Sequence, residues 1–377
     1  MMKSRVVVFG LSTEGYSLAR QIAIKGADVH IIDESSSSSI LLKPEIAKTY
    51  PDVASLKEEE PLLSMEPINV AISKAQYLFF TPRIRKIGQD LKLEVSSKFK
   101  DAIAELKKGS SIIYCLATGV GGNAENIALV KHVTGLDVGK SISYYYFPIN
   151  DFNNTPKVIG SVNKKADKNL LSLLTVGKNE KKFIEISSAE YIHAISTIKS
   201  FSSLSSILGI CRFVKSDTKS DTTFDDFKNI YIDDMVNGLY DLKSLGSSFE
   251  GAGTLIYLIN GSIRGISSYS KRLIDVIRIT LKKNELKASK TKIILFWTLD
   301  TNEMRGDRIE MLNNLTTKLR DYIGDVETAQ GSLDSFHDDK ATVIVACSSS
   351  DYKKAQESQK DQEFFVIKAN PLCEVER

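Results

Sequence analysis

The spacing of apolar residues changes twice along the chain. Up to residue 185, short apolar runs alternate with amphipathic stretches, which predicts a series of buried strands and helices. From 186 to 290 the apolar residues follow helical spacing, and from 291 to 377 the apolar runs return. We therefore predict an α/β protein with three domains at these boundaries, in the order α/β, helical, α/β. The strands predicted in the first domain are Arg5–Phe9, Asp28–Asp33, Tyr77–Phe80, Ile112–Ala117, Ser141–Phe147 and, as its last, Val158–Gly160.

The helical region opens with a long amphipathic pattern. Ser187–Glu190 resemble an N-terminal cap, and the apolar residues that follow, from 191 to 208, share one face over about five helical turns. A helix of that length usually connects domains or forms a dimer interface. The apolar positions are Tyr191, Ile192, Ile195, Ile198, Phe201, Leu204, Ile207 and Leu208.

The other predicted elements complete this outline. A polar loop is predicted at the serine run Ser35–Ser39, and a glycine-bearing break is predicted at Gly246–Gly265. The predicted helices are Ile68–Ala75, 98–108, Ala124–His132, Ile232–Leu242, Tyr269–Leu281 and Ile309–Tyr322. The strands predicted in the last domain are Thr291–Trp297, Thr342–Ala346 and Glu363–Ile367.

A glycine turn follows the first strand. Gly10 would make the tight turn, Gly15 would let the next helix pack against the strand, and Asp33 ends the second strand. This order predicts a Rossmann-type dinucleotide-binding unit. Ser12 replaces the middle glycine of G-x-G-x-x-G, and its hydroxyl would either fill the space of a pyrophosphate or donate a hydrogen bond to it. The alternative is a doubly wound domain whose turn no longer meets a phosphate.

Composition narrows the classes of function. The 377 residues carry 50 Lys and Arg against 47 Asp and Glu, a net charge of +3 without a basic block, so nucleic-acid binding is not predicted. Four cysteines without a C-x-x-C pair and four scattered histidines argue against a metal site. No apolar run reaches the length of a membrane span, and no signal peptide is recognisable, which predicts a cytoplasmic protein with reduced thiols.

The order of elements and motifs resembles the UDP-glucose/GDP-mannose dehydrogenase family over nearly the whole chain. In that family a Rossmann domain holds NAD, a long central helix forms a homodimer interface, and a C-terminal α/β domain helps to hold the UDP-sugar. The matching motifs are Gly10–Gly15, Asp33, Thr81-Pro82, Ala117-Thr118, Ala189-Glu190 and Glu303–Arg305.

The resemblance implies NAD as cofactor, a nucleotide sugar as ligand and a homodimer formed through the central helix. Thr118 would contact nicotinamide or substrate, or would cap the helix that follows. Arg305 would pair with a pyrophosphate or a carboxylate, or would form a structural ion pair with Glu303 and Asp307. The implied cofactor-binding residues are Gly10, Leu11, Ser12, Gly15, Asp33, Thr81, Pro82, Thr118 and Arg305.

The catalytic residues of the family are not matched. Its members hold an intermediate aldehyde on a cysteine as a thiohemiacetal, but the corresponding loop, Gly246–Gly253, contains no cysteine. A glutamate should follow Pro148, where this chain has Ile149. His193 and Thr197 stand where the family has a lysine and an asparagine.

Two residues remain as candidates for catalysis. Thr118 keeps the family's residue, and His193 would act as general base for a single alcohol oxidation, although a lone helix histidine is more often a surface or packed residue. Cys115 and Cys211 are predicted to be buried small hydrophobes rather than nucleophiles. Lys199 matches the expected chemistry by type but lies off the expected helix face.

Three functions follow from these predictions. The first is a non-catalytic relative that binds NAD or a nucleotide sugar and acts as a sensor, regulator or scaffold. The second is an active NAD-dependent oxidoreductase that oxidises an alcohol in one step, using His193 or another residue. The third is a purely structural or assembly protein, in which the fold presents surfaces and the long helix mediates assembly.

Overall fold

The chain forms two compact units in a computed structural model. Unit 1 runs to Ser196 and also includes Ser247–Phe249 and Asn302–Gly306. Unit 2 comprises Thr197–Gly246, Glu250–Thr301 and Asp307–Arg377. The division into three domains stays a prediction. The structure describes residues 4–36, 38–59, 63–85, 89–149, 156–164, 166–174, 181–214, 225–249, 253–333, 340–359 and 364–376.

A nine-stranded sheet in the order β4-β3-β2-β1-β5-β6-β7-β8-β9 organises unit 1. The strands from β2 to β7 in this order are mutually parallel, and β3, β4 and β8 run antiparallel to their neighbours toward the centre. The strands after β1 are added first on one side of it, from β2 to β4, and then on the other side, from β5 onward, so the strand order reverses beside β1. The strands are Arg5–Phe9 (β1), Asp28–Ile32 (β2), Ser38–Leu42 (β3), Ser64–Pro67 (β4), Tyr77–Phe80 (β5), Ser111–Tyr114 (β6), Ser143–Tyr146 (β7), Val158–Ser161 (β8) and Lys182–Glu185 (β9).

Helices cover both faces of this sheet. The central strands are buried, as expected for parallel strands that are covered on both faces. In β1 the three consecutive valines Val6–Val8 are all buried, and valine favours a strand in this position. Helix α1 buries Tyr16, Ala19 and Ile22 against the sheet. The helices are Thr13–Ile24 (α1), Pro44–Thr49 (α2), Val53–Glu58 (α3), Ile68–Ser73 (α4), Gln89–Ile103 (α5), Gly122–Thr134 (α6), Lys168–Leu174 (α7) and Ile186–Ile210 (α8), the last of which continues into unit 2.

Unit 2 contains a second sheet, in the order β11-β10-β12-β13-β14. Its central strands are parallel and apolar, and β14 pairs antiparallel with β13. The strands are Thr291–Phe296 (β10), Val326–Ala329 (β11), Ala341–Ala346 (β12), Phe365–Lys368 (β13) and Val375–Glu376 (β14). The helices are Asp225–Lys228 (α9), Ile232–Val236 (α10), Leu239–Ser248 (α11), Thr254–Lys283 (α12), Asp307–Arg320 (α13) and Ser349–Ser358 (α14). The predicted α/β fold class is confirmed.

The serine run differs from its prediction. Ser38 and Ser39 belong to strand β3, which pairs antiparallel with β2 and β4. Ser39 is fully buried, and its hydroxyl donates to the backbone oxygen of Glu66 at 3.0 Å. The loop prediction is therefore wrong for these two residues, because neighbouring strands supply the hydrogen bonds that a serine-rich segment lacks locally. Ser37 lies outside the described residues.

The long helix α8 begins earlier than predicted. It starts at Ile186, so Ser187–Glu190 lie within the helix and do not form its cap. The predicted apolar face is also divided, since Phe201 is buried while Ile192 and Ile195 are 48% and 67% exposed. The periodicity correctly indicated a helix but did not indicate which part of its face would be covered.

Three further boundaries needed correction. The predicted break at Gly246–Gly265 is largely helical, because α11 extends to Ser248 and α12 begins at Thr254. The strand β8 is not the last strand of its sheet, since β9 pairs with it. The helix predicted at 98–108 is α5, which ends at Ile103, but its predicted apolar residues Phe99, Ala102 and Ile103 are buried as expected.

Candidate functional site: the crevice beside the glycine turn

The glycine turn of unit 1 lies at the carboxyl ends of β1 and β5, where the order of the strands reverses. Ligands of doubly wound sheets bind in this place. Gly10 has a φ of +113°, and a Cβ atom there would lie 2.1 Å from the backbone oxygen of Thr81. A Cβ at Gly15 would lie 2.4 Å from Oγ1 of Thr81. The two glycines therefore allow β1, α1 and the end of β5 to pack without space between them.

Ser12 is the N-cap of α1 and is fully buried. Its Oγ accepts a hydrogen bond from the backbone N–H of Gly15 at 3.0 Å and donates one to the oxygen of Thr81 at 2.9 Å. A hydroxyl has only one hydrogen, so the proposed donation to a phosphate is not available in this arrangement. The serine oxygen also takes the helix N–H group that a bound anion would use.

Asp33, the predicted ribose ligand, is bound by residues of its own unit. Its Oδ1 accepts from the backbone N–H and the hydroxyl of Ser35, at 3.0 and 2.7 Å, and from Nη2 of Arg83 at 2.7 Å. Burial acts to raise the pKa of the Asp33 carboxyl, but the hydrogen bonds from Ser35 and the charge of Arg83 outweigh it and hold the pKa below its usual value. The carboxylate is therefore charged and already partnered.

A charged network extends from Arg83 along the same edge. The backbone N–H of Arg83 donates to both carboxylate oxygens of Glu34 at 3.2 Å. Lys98 bridges Oε1 of Glu34 at 3.1 Å and Oε1 of Glu94 at 2.9 Å. Glu34, Arg83 and Lys98 were not predicted as site residues from the sequence. The acid directly after Asp33 was the only local signal that could have pointed to this network.

Thr81 and Pro82 close the end of β5. Both are buried, and the backbone N–H of Thr81 donates to the oxygen of Phe9 at 2.9 Å. The hydroxyl of Thr81 also points to this backbone, at 3.3 Å from the oxygen of Phe9. Leu11, in the turn, is 3% exposed. The structure thus brings the turn residues predicted to bind the cofactor together, but their polar groups are bonded to one another.

The segment Asn302–Gly306 lies against the start of α1. The oxygen of Asn302 accepts from the N–H of Thr13 at 2.9 Å, and the N–H of Met304 donates to Oε2 of Glu14 at 2.8 Å. The oxygen of Met304 accepts from the N–H of Ile84 at 2.8 Å, and Met304 is fully buried. This segment carries the residues that match the family motif near the cofactor.

Arg305 lies inside unit 1 and is 4% exposed. Its Nη1 donates to the backbone oxygen of Ile149 at 2.7 Å. Ile149 is also buried, at the position where the family has a glutamate. In this structure the Arg305 guanidinium therefore binds a backbone oxygen of the protein itself. Its charge also acts on Cys115, which directly follows β6.

Thr118 does not cap the helix that follows. Its Oγ1 donates to the oxygen of Gly119 and accepts from Nδ2 of Asn123, both at 3.0 Å. The start of α6 is held instead by Glu190, whose Oε2 accepts from the N–H of Gly121 at 2.9 Å and whose Oε1 accepts from the N–H of Asn123 at 3.1 Å. Glu190 was predicted as part of a cap for α8 and as part of the matching motif Ala189-Glu190, and neither prediction indicated its role at the start of α6.

His193 and Thr197 lie one turn apart on α8. The His193 ring is half-buried and meets the Tyr146 ring edge-on, with 6.5 Å between ring centroids. Thr197 is buried, and Lys199 is exposed. The packing of His193 against an aromatic ring fits the interpretation as a packed helix histidine.

All four thiols of the chain are buried. Cys115, at the end of β6, donates to the oxygen of Ile113 at 3.6 Å, and burial raises the pKa of its thiol far above the usual value, only partly offset by the charge of Arg305. Burial also raises the pKa of Cys347. Catalytic cysteines need the opposite shift, toward the thiolate. In the predicted cysteine-loop region, Glu250–Ala252 lie outside the described residues.

In the conformation described, several groups that a dinucleotide would use are already bonded within the chain. Its pyrophosphate would need the N–H groups at the start of α1, yet Ser12 and Asn302 accept from them. Its ribose would need Asp33, which is bound by Ser35 and Arg83. The NAD contacts stay a prediction, and in this conformation the chain itself bonds to several of the groups that would make them, among them Oδ1 of Asp33.

Neither a cluster of metal-binding side chains nor a membrane-spanning helix is found among the described residues. In the parts of the chain that the structure describes, no group of three or more His, Cys, Asp and Glu side chains is arranged to hold a metal ion. Among the described helices, none has both the length and the apolar composition needed to cross a membrane.

Comparison with solved structures shows which proteins share this fold. The chain is similar to a UDP-D-ManNAc dehydrogenase from Pyrococcus horikoshii, with a TM-score of 0.64 and 15% identity over 93% of each chain. It is similar to a UDP-glucose dehydrogenase from Pyrobaculum islandicum, with a TM-score of 0.62 and 13% identity over 98% of this chain and 94% of the other. The Staphylococcus aureus UDP-N-acetyl-mannosamine dehydrogenase Cap5O gives a TM-score of 0.55 and 14% identity over 93% and 92%.

Sequence comparison adds no relative to these. No family model matches the chain, and no curated protein matches it. The similarity to the solved structures, at this identity, establishes the fold and leaves the activity to be argued from the residues. The fold predicted by the resemblance is confirmed.

Proposed function

We propose that the protein has the nucleotide-sugar dehydrogenase fold without its oxidising activity, and that it serves as a regulator or scaffold. The solved structures that share the fold are named as UDP-sugar dehydrogenases. The resemblance assigns to that family an oxidation that passes through a thiohemiacetal on a cysteine. The observation that supports an inactive protein is that all four cysteines of this chain are buried.

The burial of Cys115 is the central part of this argument. It is the cysteine beside the crevice, and its residue is 0% exposed. Its raised pKa keeps the thiol protonated at neutral pH, so the nucleophilic thiolate is scarce. An aldehyde could not reach its sulfur without displacing buried backbone. Removal of a covalent nucleophile costs an enzyme many powers of ten in rate, which is why we place regulation or assembly before catalysis.

No reduction of NAD is expected when the purified protein is mixed with NAD and each of a panel of UDP- and GDP-sugars. Absorbance at 340 nm measures this, with a UDP-glucose dehydrogenase as the positive control for every reagent. Steady NADH formation that Cys115→Ala abolishes would overturn the proposal. NADH formation that persists in C115A but is lost in His193→Ala would instead establish the one-step oxidoreductase.

Ligand binding is a separate matter from turnover. Retained binding of NAD(H) or of a nucleotide sugar stays a prediction, and calorimetry with the same panel tests it. Binding of a nucleotide sugar without turnover supports a sensor. If none of the panel binds, the sensor function is removed and the assembly function remains. The cytoplasmic location also stays a prediction.

An exposed apolar patch on α8 favours assembly as a second function. Tyr191, Ile192 and Ile195 lie within two turns of each other and are 54%, 48% and 67% exposed. Apolar side chains grouped in this way on a helix are typical of a protein interface. We propose that this patch forms part of the interface of a homodimer.

A charge placed in the patch is expected to separate the dimer. In Ile195→Asp the carboxylate would have to lose its water at the interface, so the dissociation constant should rise at least about a hundredfold, equivalent to about 3 kcal/mol. Sedimentation velocity across a concentration series measures this. Ser200→Asp, an exposed position on another side of the same helix, is the matched control. A monomeric unmodified protein, or equal dissociation of both variants, would rule out this interface.

A further inference from the structure

We propose that Asn302–Gly306 is an internal occupant of the dinucleotide site, so that this segment must leave the start of α1 before a dinucleotide can bind. This inference rests on the proposed regulatory function and specifies how the same site would be controlled. It assigns the segment an autoinhibitory role against ligands that carry a pyrophosphate. The segment would then determine whether the fold is open or closed to its expected cofactor.

The backbone of the segment is bonded to each side of the crevice. Asn302 accepts from the N–H of Thr13, at the first position of α1. Met304 bonds in both directions, from its N–H to Glu14 and from its oxygen to the N–H of Ile84. These bonds link the first turn of α1 to Ile84, which follows β5, at the sheet edge where ligands of doubly wound folds bind.

Two basic side chains of unit 1, Arg85 and Lys57, also bind the segment. Nη2 of Arg85 donates to the oxygen of Glu303 at 2.8 Å, and Nζ of Lys57 donates to Oδ1 of Asn302 at 2.9 Å. A Cβ at Gly306 would lie 2.9 Å from the oxygen of Ile84, so the glycine allows a close backbone approach. The segment is therefore packed into unit 1 rather than resting on its surface.

The charges beside the segment also oppose a pyrophosphate. Glu14 lies in the first turn of α1, where its carboxylate satisfies the positive end of the helix dipole. Glu303 is 6% exposed within the segment itself, and Glu34 lies at the adjacent edge, bonded to Arg83. A ligand with two negative charges would approach these carboxylates. Displacement of the segment removes its steric obstacle and the charge of Glu303, while Glu14 and Glu34 stay in place.

Loosening the segment is expected to create NADH affinity. The double variant Glu14→Ala, Arg85→Ala removes the partner of the Met304 N–H and the partner of the Glu303 oxygen while leaving the segment's own sequence intact. We expect NADH, followed by its fluorescence, to bind this variant at least ten times more tightly than it binds the unmodified protein. Glu45→Ala, Lys48→Ala removes an exposed acid and an exposed base from α2 and is the matched control.

Amide hydrogen exchange provides a readout that does not depend on ligand. Release of the segment should speed exchange at the N–H groups of Thr13 and Met304 in the double variant and not in the control. Faster exchange without a gain in NADH affinity would show that the segment does not exclude the dinucleotide. Unchanged exchange would show that the two contacts do not hold it in place. Either result overturns the proposal.

The unmodified protein provides a test that needs no variant. If NADH binds it, exchange at Thr13 and Met304 should become faster, because the ligand replaces the segment. Tight NADH binding with slower exchange at both positions overturns the inference while leaving an inactive protein intact. NADH production from a nucleotide sugar, with the segment displaced, would overturn the proposed function alone.

Discussion

Replacing Gly10 by alanine is expected to lower the free energy of unfolding of unit 1 by about 4 kcal/mol, which places it among the most damaging single substitutions. The added Cβ would lie 2.1 Å from the oxygen of Thr81, a backbone atom that cannot rotate away. The φ of +113° adds strain that only glycine avoids. Urea denaturation followed by circular dichroism measures the loss.

Gly26→Ala is the matched control for this prediction. Gly26 also has a positive φ, +91°, but a Cβ there would meet no atom within 4 Å. Its substitution should therefore cost only the conformational strain, about 1 to 2 kcal/mol. Equal losses in the two variants would show that the contact with Thr81 has no part in holding the turn.

Replacing Glu190 by alanine is expected to destabilise unit 1 by about 3 to 5 kcal/mol, since buried donors left without partners cost about 1 to 3 kcal/mol each. The carboxylate is 5% exposed and accepts from the N–H groups of Gly121 and Asn123 at the start of α6. It also accepts from Nδ2 of Asn123 at 2.7 Å. Chemical denaturation and hydrogen exchange at the first turn of α6 measure the loss.

Two other substitutions define how specific this effect is. Glu190→Gln keeps one acceptor oxygen and should fall between the unmodified protein and E190A. Glu185→Ala removes an exposed carboxylate that pairs with Lys164 at 3.1 Å and should change stability by less than about 1 kcal/mol. If E190A and E185A are equally mild, solvent rather than Glu190 satisfies the start of α6.

Local signals were sufficient for the glycine turn and its strands. Three valines, a glycine and a serine cap specify β1, the turn and α1 through contacts with residues close in sequence. The apolar run of β10 also predicts its strand clearly, because a buried parallel strand has apolar residues at successive positions and does not alternate with polar ones. These elements were predicted with nearly their observed bounds.

Distant contacts determined what the sequence could not predict. The ion pair of Asp33 with Arg83 joins residues 50 positions apart, and the Met304–Glu14 bond joins residues 290 positions apart. Gly265 was interpreted as a helix break, but it lies within α12, where a Cβ would be 2.3 Å from Oγ of Ser205 on α8. A glycine selected for close helix contact cannot be told from a glycine selected for a turn without knowledge of its neighbour.

Met304 is synthesised long after Glu14, to which it is bonded in the folded protein. A ribosome that adds about 5 to 20 residues per second needs about 15 to 60 s to cover the 290 positions between them. In the last third of that interval the strands and helices up to Ser196 have already been made, while the segment Asn302–Gly306 has not. The nascent chain thus has a period in which the start of α1 is accessible to small anions of the cell, and completion of the chain ends it.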